Sequence, residues 1–304
     1  MYDTLLVPID GSPPAERAAE HALDIARRFD ATVHLINVVD VQTAGGLFSA
    51  GGVDQEFVGR LEERARATIS EVEEFAGPDD DVRTAVVKGK PSEGILDYAD
   101  ENDADLVFMG THGRTGLDRY TTGSVTERVV RLSDVPVFTV RVTDRSVVGD
   151  GYDDVLIPTD GSDCAEVAVE HGLAVAERYD ATVHAVNVVN VQAVATGADS
   201  WSEEGVDVAA TTDLLDSLET RGENATERVA ERAREAGLDA VTEVRDGVPA
   251  RSLLDYADEN DVDLIAMGTH GRTGIDRYFL GSTTAKLVRK SEVPVLSVRA
   301  PEGE

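Results

Sequence analysis

An internal duplication is the feature of this sequence that most restricts its fold. The string GTHGRTGLDRYTTGS at 110–124 returns as GTHGRTGIDRYFLGS at 268–282, 158 residues later. Over the wider stretch from 97 to 124, 22 of the 28 residues are identical to their partners from 255 to 282. Shared composition does not produce agreement over that length, so the sequence predicts a duplicated domain.

The duplication also sets the expected domain boundaries. A chain of 304 residues is long enough for two domains of about 150 residues, each with its own core. We predict a first domain over 1–143, a second over 152–304 and a short polar linker over 144–151.

Within each copy, short apolar runs alternate with helical patterns. In the first copy the strand-like segments lie at 4–9, 31–39, 82–87, 105–109 and 135–140. Between them, amphipathic or alanine-rich patterns predict helices, among them 54–76, 92–102 and 124–132. Strands separated by helices predict an α/β fold in which each domain is a doubly wound, five-stranded parallel sheet.

Two polar motifs follow strands in this scheme. Asp10 belongs to a DGS turn after the first strand, and the glycine-spaced string follows the fourth. In a doubly wound sheet, ligands bind beyond the carboxyl ends of the strands where the strand order reverses. If these two strands are neighbours there, both motifs border one crevice. Glycines that let backbone amides approach an anion, followed by a helix start, predict a phosphate site.

The glycine spacing, the DGS turn and the duplication together give the chain its resemblance to the universal stress protein family. The family's phosphate motif is Gly, two residues, Gly, nine residues, Gly and then Ser or Thr, and both copies satisfy it. The resemblance implies a Rossmann-like fold of the adenine-nucleotide alpha-hydrolase type, bound ATP, ADP or AMP, and a role in stress response or signalling.

The resemblance also implies the binding residues. Asp10 and Asp160 would face the nucleoside, with a Mg²⁺ carried by the nucleotide as a further contact, and the backbones of Val38 and Val188 would meet the adenine edge. The expected ribose and phosphate contacts are Met109, Gly110, Gly113, Gly123, Ser124 and Val125 in the first copy and Met267, Gly268, Gly271, Gly281, Ser282 and Thr283 in the second.

Plainer interpretations exist for several of these residues. Ser124 and Glu127 have the spacing of a capping box, so the serine would serve only the helix end. The second copy has Ala285 in place of that glutamate, which favours the phosphate role. Gly110 and Gly268 fit ordinary strand exits equally well.

Charged and ionisable side chains inside the glycine strings offer weaker signals. The arginines suit either an anionic ligand or nearby carboxylates, and His112 and His270 are expected to fix the loop rather than to catalyse. The arginines are Arg114, Arg119, Arg272 and Arg277.

Motifs for phosphoryl transfer are missing from the sequence. It contains no GxxxxGK[ST] string and no kinase signature, and it offers no cluster of carboxylates for a metal. We therefore expect a protein that binds nucleotide and shifts a conformational or partner-binding equilibrium, without dedicated catalytic residues. The alternatives are a slow ATPase or phosphotransferase that phosphorylates itself, and a module that binds nothing.

Composition indicates where the protein works. With 59 acidic and 28 basic residues the net charge is −31, which fits a halophile's cytoplasm or a merely acidic protein. Nucleic acid and anionic membranes are not expected partners, since both need a basic face. The first strand pattern begins almost at Met1, so no signal peptide is expected. A single cysteine, Cys164, excludes an internal disulfide.

Assembly is a last expectation. In proteins of this family the last strands commonly pair between subunits. The resemblance thus implies that 135–140 and 293–298 pair within one chain as an internal pseudo-dimer, which would cover two exposed sheet edges. A further homodimer is possible on the same grounds.

Overall fold

A computed structural model shows two compact units, Met1–Gly151 and Tyr152–Glu304. The structure describes residues 1–41, 55–111, 122–149, 151–191, 208–270 and 280–300, and for 208–212 the backbone alone. We refer to the two parts as the first unit and the second unit. Among the described helices, none combines the length and the apolar character needed to cross a membrane.

The first unit alternates strands and helices as the sequence predicts. Its elements are β1 (Thr4–Pro8), α1 (Pro13–Phe29), β2 (Thr32–Val39), α2 (Gln55–Glu73), β3 (Val82–Lys88), α3 (Pro91–Glu101), β4 (Leu106–Gly110), α4 (Ser124–Leu132), β5 (Val137–Val140) and a 3₁₀ turn at Asp144–Ser146.

The second unit repeats this order. Its elements are β6 (Asp154–Pro158), α5 (Asp163–Tyr179), β7 (Thr182–Val189), α6 (Val208–Glu235), β8 (Ala240–Asp246), α7 (Pro249–Glu259), β9 (Leu264–Gly268), α8 (Ser282–Lys290) and β10 (Val295–Val298).

The described residues of each unit contain five strands in the order of a doubly wound sheet. The first has β3-β2-β1-β4-β5, and the second has β8-β7-β6-β9-β10. All the pairs are parallel, including the pair at which the order reverses, where Leu5 lies opposite Leu106 and Val155 opposite Leu264. The predicted fold class is therefore confirmed, and strands one and four of each copy are neighbours.

The central strands are apolar because helices cover both faces of the sheet. Leu5, Leu6 and Val7 of β1 are fully buried, which is typical of a strand without a solvent face. Helix α1 packs on β1, β4 and β5, while α3 packs on β2 and against α4. Right-handed crossovers place α3 and α4 on the face opposite α1 and α2.

Small residues allow α1 to lie close to the sheet. Five of the eight buried residues of this helix are alanines: Ala15, Ala18, Ala19, Ala22 and Ala26. Proline occupies the first turn, where it removes no helical hydrogen bond, and Asp30 ends the helix in the left-handed conformation with φ 58°.

The start of the expected linker packs on the first unit. Ser146 is buried, and its carbonyl oxygen accepts hydrogen bonds from Arg17 Nη1 and His21 Nε2, both at 2.9 Å. Its hydroxyl donates to the carbonyl oxygen of Arg141. These contacts make residues 144–146 part of the first unit's structure.

Candidate functional site

A cavity of about 260 Å³ lies at the carboxyl ends of β1 and β4, where the strand order reverses. We call it the first cavity. Its lining residues are Pro8, Ile9, Asp10, Ser12, Ala15, Asn37, Val38, Pro91, Ile95, Met109, Gly110, Gly123, Ser124, Val125 and Thr126. Every expected binding residue of this copy is among them except Gly113, which lies outside the described residues.

The DGS turn orients the carboxylate of this cavity. Gly11 takes φ 75°, a conformation that favours glycine and turns the chain sharply after β1. The amide of Ser12 then donates to Asp10 Oδ1 at 3.0 Å, and the Ser12 hydroxyl donates to the same oxygen at 2.5 Å. These bonds fix the Asp10 side chain at the rim of the cavity.

Asn37 is a cavity residue that sequence reasoning missed. Its Nδ2 donates to the carbonyl oxygen of Ile9 at 2.6 Å and so ties the end of β2 to the end of β1. The matching Asn187 donates to the carbonyl oxygen of Thr159 at the same distance. The available signal was an asparagine repeated at the matching position of β2 and β7, near the carboxyl end of each strand.

Close packing explains the glycine at the end of β4. A β-carbon on Gly110 would lie 2.6 Å from the carbonyl carbon of Pro14 and 2.8 Å from the amide nitrogen of Ala15. A β-carbon this close to backbone atoms cannot be accommodated unless α1 moves. Gly110 is therefore required by the fold at the floor of the cavity, and it is more than an ordinary strand exit.

Helix α4 begins at the cavity, and its start differs from the capping-box interpretation. Gly123 is the N-cap residue with φ −61° and ψ 143°, and Ser124 is already the first helical residue. No side-chain cap hydrogen bond forms at this helix start, so the capping-box interpretation is wrong. The first amides of a helix have no acceptor within the helix, and here the residues that carry them line the cavity.

Thr126 secures this helix start and was also missed by sequence reasoning. Its Oγ1 donates to the carbonyl oxygen of Gly110 at 2.7 Å, and in the second unit Thr284 Oγ1 donates to that of Gly268 at 2.9 Å. The amide of Gly123 donates to the carbonyl oxygen of Thr111 at 2.7 Å. Two hydrogen bonds, from the Thr126 hydroxyl and from the Gly123 amide, thus hold the helix start against the end of β4.

A second cavity of about 340 Å³ occupies the matching place in the second unit. Its lining residues are Pro158, Thr159, Asp160, Ala165, Val186, Asn187, Val188, Pro249, Leu253, Met267, Gly268, His270, Gly281, Ser282, Thr283 and Thr284. All the expected binding residues of this copy are among them except Gly271, which lies outside the described residues.

Parts of the two glycine strings lie outside the described residues. This applies to His112 of the first copy and to the loop arginines of both copies, Arg114, Arg119, Arg272 and Arg277. The expectations for their contacts remain predictions.

The chemistry of each lining suits a molecule with one apolar and one anionic end. Apolar side chains dominate near β2 and α3, whereas the helix start supplies amides and the positive end of a helix dipole. Among the described lining residues each cavity has one carboxylate, and within the described ranges no group of three or more His, Cys, Asp or Glu is arranged to hold a metal. Cys164, beside the second cavity, is buried and forms no disulfide.

Comparison with known proteins identifies the family of the chain. The model of the universal stress protein family matches residues 1–141 and 151–299, and the chain belongs to that family. A universal stress protein of Methanocaldococcus jannaschii is 36% identical over 155 residues, which are 50% of this chain and 85% of that protein. A putative universal stress protein of Staphylococcus aureus is 33% identical over 144 residues, 46% of this chain and 84% of that one.

Solved structures show the same fold over the whole chain. The crystal structure of a universal stress protein from Archaeoglobus fulgidus matches with a TM-score of 0.70 and 22% identity, covering 99% of this chain and 98% of that chain. At this level of identity the likeness establishes the fold alone.

Proposed function

We propose that each unit binds one adenine nucleotide and that occupancy of the two cavities changes the conformation or the partner binding of the protein during a stress response. One observation carries the proposal. In both units a carboxylate after the first strand, an apolar wall and an uncapped helix start after a glycine line one cavity.

The arrangement of the lining gives the nucleotide a direction. The base would lie against the apolar wall that includes Val38 and Val188, with the ribose near Asp10 or Asp160. The phosphates would lie at the starts of α4 and α8, where Ser124 and Ser282 are solvent-exposed. ATP, ADP and AMP share this chemistry. A Mg²⁺ ion would be held jointly by the phosphates and the single carboxylate, since the described lining alone cannot coordinate it.

Binding without rapid turnover is the activity that this lining favours. The described ionisable side chains are Asp10 in the first cavity and Asp160 and His270 in the second. A bound nucleotide with differential affinity for two conformations shifts the equilibrium between them, and this is how occupancy becomes a signal.

Ser124→Asp and Ser282→Asp test the proposal without disturbing the fold. A carboxylate in the first turn of a helix interacts favourably with the helix dipole, so the variants should fold as well as the wild type. The same carboxylate repels a phosphate, so each variant should lose one of two bound nucleotides at ATP concentrations that saturate the wild type. Native mass spectrometry of the full chain counts them directly.

Uncharged variants provide the matched control. Ser124→Asn and Ser282→Asn have almost the same size without the charge and should still bind two nucleotides per chain. A wild-type chain that takes up no ATP would remove the proposed function. A double aspartate variant that binds like the wild type would show that the phosphates do not lie at the helix starts.

A further inference from the structure

His270 lines the second cavity and carries a buried polar atom that no described residue satisfies. Its Nδ1 lies 2.9 Å from Thr269 Oγ1, while its Nε2 is buried and has no hydrogen-bond partner among the described residues. Buried polar atoms are almost always paired, because an unpaired one has lost its water without compensation. His270 also lines the cavity, so a bound molecule can supply the missing partner.

The surroundings of His270 indicate what kind of atom that partner is. A β-carbon on Gly281 would lie 3.7 Å from His270 Cα, which places the histidine beside the start of α8. The positive charge of Arg299 is also near enough to act on the imidazole. A helix start and a cationic side chain both favour an anionic group at this end of the cavity.

The protonation state of His270 is compatible with donation. Burial, and then the charge of Arg299, lower the pKa of His270, so the ring is neutral at pH 7. A neutral imidazole carries one hydrogen, and when the Thr269 hydroxyl donates to Nδ1 that hydrogen is on Nε2. Phosphate oxygens accept hydrogen bonds and cannot donate when ionised. The Nε2–H donor of His270 and an ionised phosphate oxygen are therefore complementary.

We propose that His270 is a ligand contact of the second cavity, where its Nε2 donates a hydrogen bond to a phosphate oxygen of the bound nucleotide. This inference rests on the proposed nucleotide-binding function. It replaces the expectation that His270 serves only to fix the glycine loop. The matching His112 of the first unit lies outside the described residues, so the inference concerns the second cavity alone.

Two amide substitutions separate the ligand contact from the contact with Thr269. His270→Asn places an amide near the position of Nδ1, where it can keep the bond to Thr269, and removes the atom at Nε2. His270→Gln places an amide nitrogen near the position of Nε2 and can restore donation to the ligand. Both are made in the Ser124→Asp chain, so that any ATP bound lies in the second cavity.

Isothermal titration with ATP gives the decisive comparison. A hydrogen bond to a charged group changes affinity by about ten- to a hundredfold. His270→Asn should therefore weaken ATP binding by about tenfold or more. His270→Gln should stay within about threefold of its parent. His270→Asn should leave the thermal unfolding midpoint of the ligand-free protein unchanged, since Nε2 has no partner among the described residues and the bond to Thr269 is kept. His270→Gln loses the bond between Nδ1 and Thr269, so its midpoint should fall slightly while its affinity for ATP is retained.

Other results would overturn the inference. Unchanged affinity in His270→Asn would mean that Nε2 does not contact the ligand. Equal loss of affinity in both variants, with a lower unfolding midpoint, would return His270 to a structural role. The wild type could also bind one ATP per chain and the Ser124→Asp parent none. That result would place the nucleotide in the first cavity and show that the second cavity is not a nucleotide site. The inference then fails with that part of the proposed function.

Discussion

The first and second units share a fold and a set of bonds around their cavities, yet they differ in how polar those surroundings are. Asn37 and Asn187, and Thr126 and Thr284, make the same hydrogen bonds in both. By contrast, Ile9 of the first cavity is replaced by Thr159, whose hydroxyl accepts a bond from the Gly161 amide at 3.1 Å.

The serine of the DGS turn shows the same divergence. In the first unit the Ser12 hydroxyl donates to Asp10, whereas in the second Ser162 accepts from the Ala165 amide at 3.3 Å and caps α5. The hydrogen bonds that hold the strand ends together are therefore the same in both units, while those made by polar side chains of the cavity lining and the DGS turn differ. The two copies thus share the architecture of the site and differ in its polarity.

The largest expected difference between the units is in acid stability. Burial lowers the pKa of His21 to about 4, although the bond to Ser146 opposes this in part. Below its usual pKa of about 6.5 the unfolded chain binds a proton that the folded chain excludes. His21 thus contributes stability that is present above pH 6.5 and is lost as pH falls toward 4, about 3 kcal/mol in all.

Hydrogen exchange of the full chain between pH 4 and 7 measures this in each unit. His21→Gln should remove most of that pH dependence from the first unit, since the amide still donates to Ser146. The matching His171→Gln should remove less from the second, because His171, whose pKa burial also lowers, is more exposed. Equal pH dependence before and after His21→Gln would contradict the assignment.

A second comparison concerns the glycines that end β4 and β9. Gly110→Ala should cost about 2 to 3 kcal/mol, because its β-carbon meets the α1 backbone. Gly268→Ala should cost less, since one of the two nearest atoms, both at 2.8 Å, is the Sγ of Cys164, which can rotate away.

Denaturant unfolding checks both variants, with Gly149→Ala as the control. A β-carbon at Gly149 meets nothing within 4 Å, so this variant should be neutral. If Gly110→Ala were as harmless, the close approach of α1 to the end of β4 would not hold in solution.

The smallest expected difference lies at the other end of the sheet. In the second unit His184 bonds both the Tyr256 hydroxyl and Asp154, each at 2.7 Å, and Tyr256 is fully buried. In the first unit Tyr98 lies 3.2 Å from His34 Nδ1 and is partly exposed. Tyr256→Phe should cost about 1 to 1.5 kcal/mol and Tyr98→Phe about 0.5 kcal/mol.

Denaturation of the two phenylalanine variants ranks these bonds. The pKa of Tyr256 is raised to about 12, mainly by burial, so the wild type should also lose stability as pH rises above 10, where the unfolded tyrosine ionises first. Tyr256→Phe should lack that loss. An equal cost for both substitutions would contradict the stronger tyrosine–histidine bond expected in the second unit.

Local periodicity was enough to predict most of the elements. The first-copy strand predicted at 4–9 is observed at Thr4–Pro8, and the helix predicted at 124–132 is Ser124–Leu132. The ends were less accurate where the pattern continues into a turn. The strand predicted at 135–140 begins only at Val137, after Pro136.

The capping box failed for a related reason. Its spacing is present in the sequence, but the box forms only if the serine itself takes the extended conformation before the helix. Gly123 takes that conformation instead, and its amide donates to the carbonyl oxygen of Thr111, the residue after β4. Which residue caps a helix is thus decided by where the preceding chain must go.

The sequence by itself determined the duplication, the parallel sheets and the motifs at the strand ends, because each depends on the order and spacing of residues along the chain. Only the tertiary structure decided that Asn37 and Thr126 hold the cavity together, that residue 110 must be glycine because α1 lies close to it, and that His270 Nε2 has no hydrogen-bond partner among the described residues. These depend on contacts between residues far apart in sequence, and such contacts exist only once the strands and helices have packed.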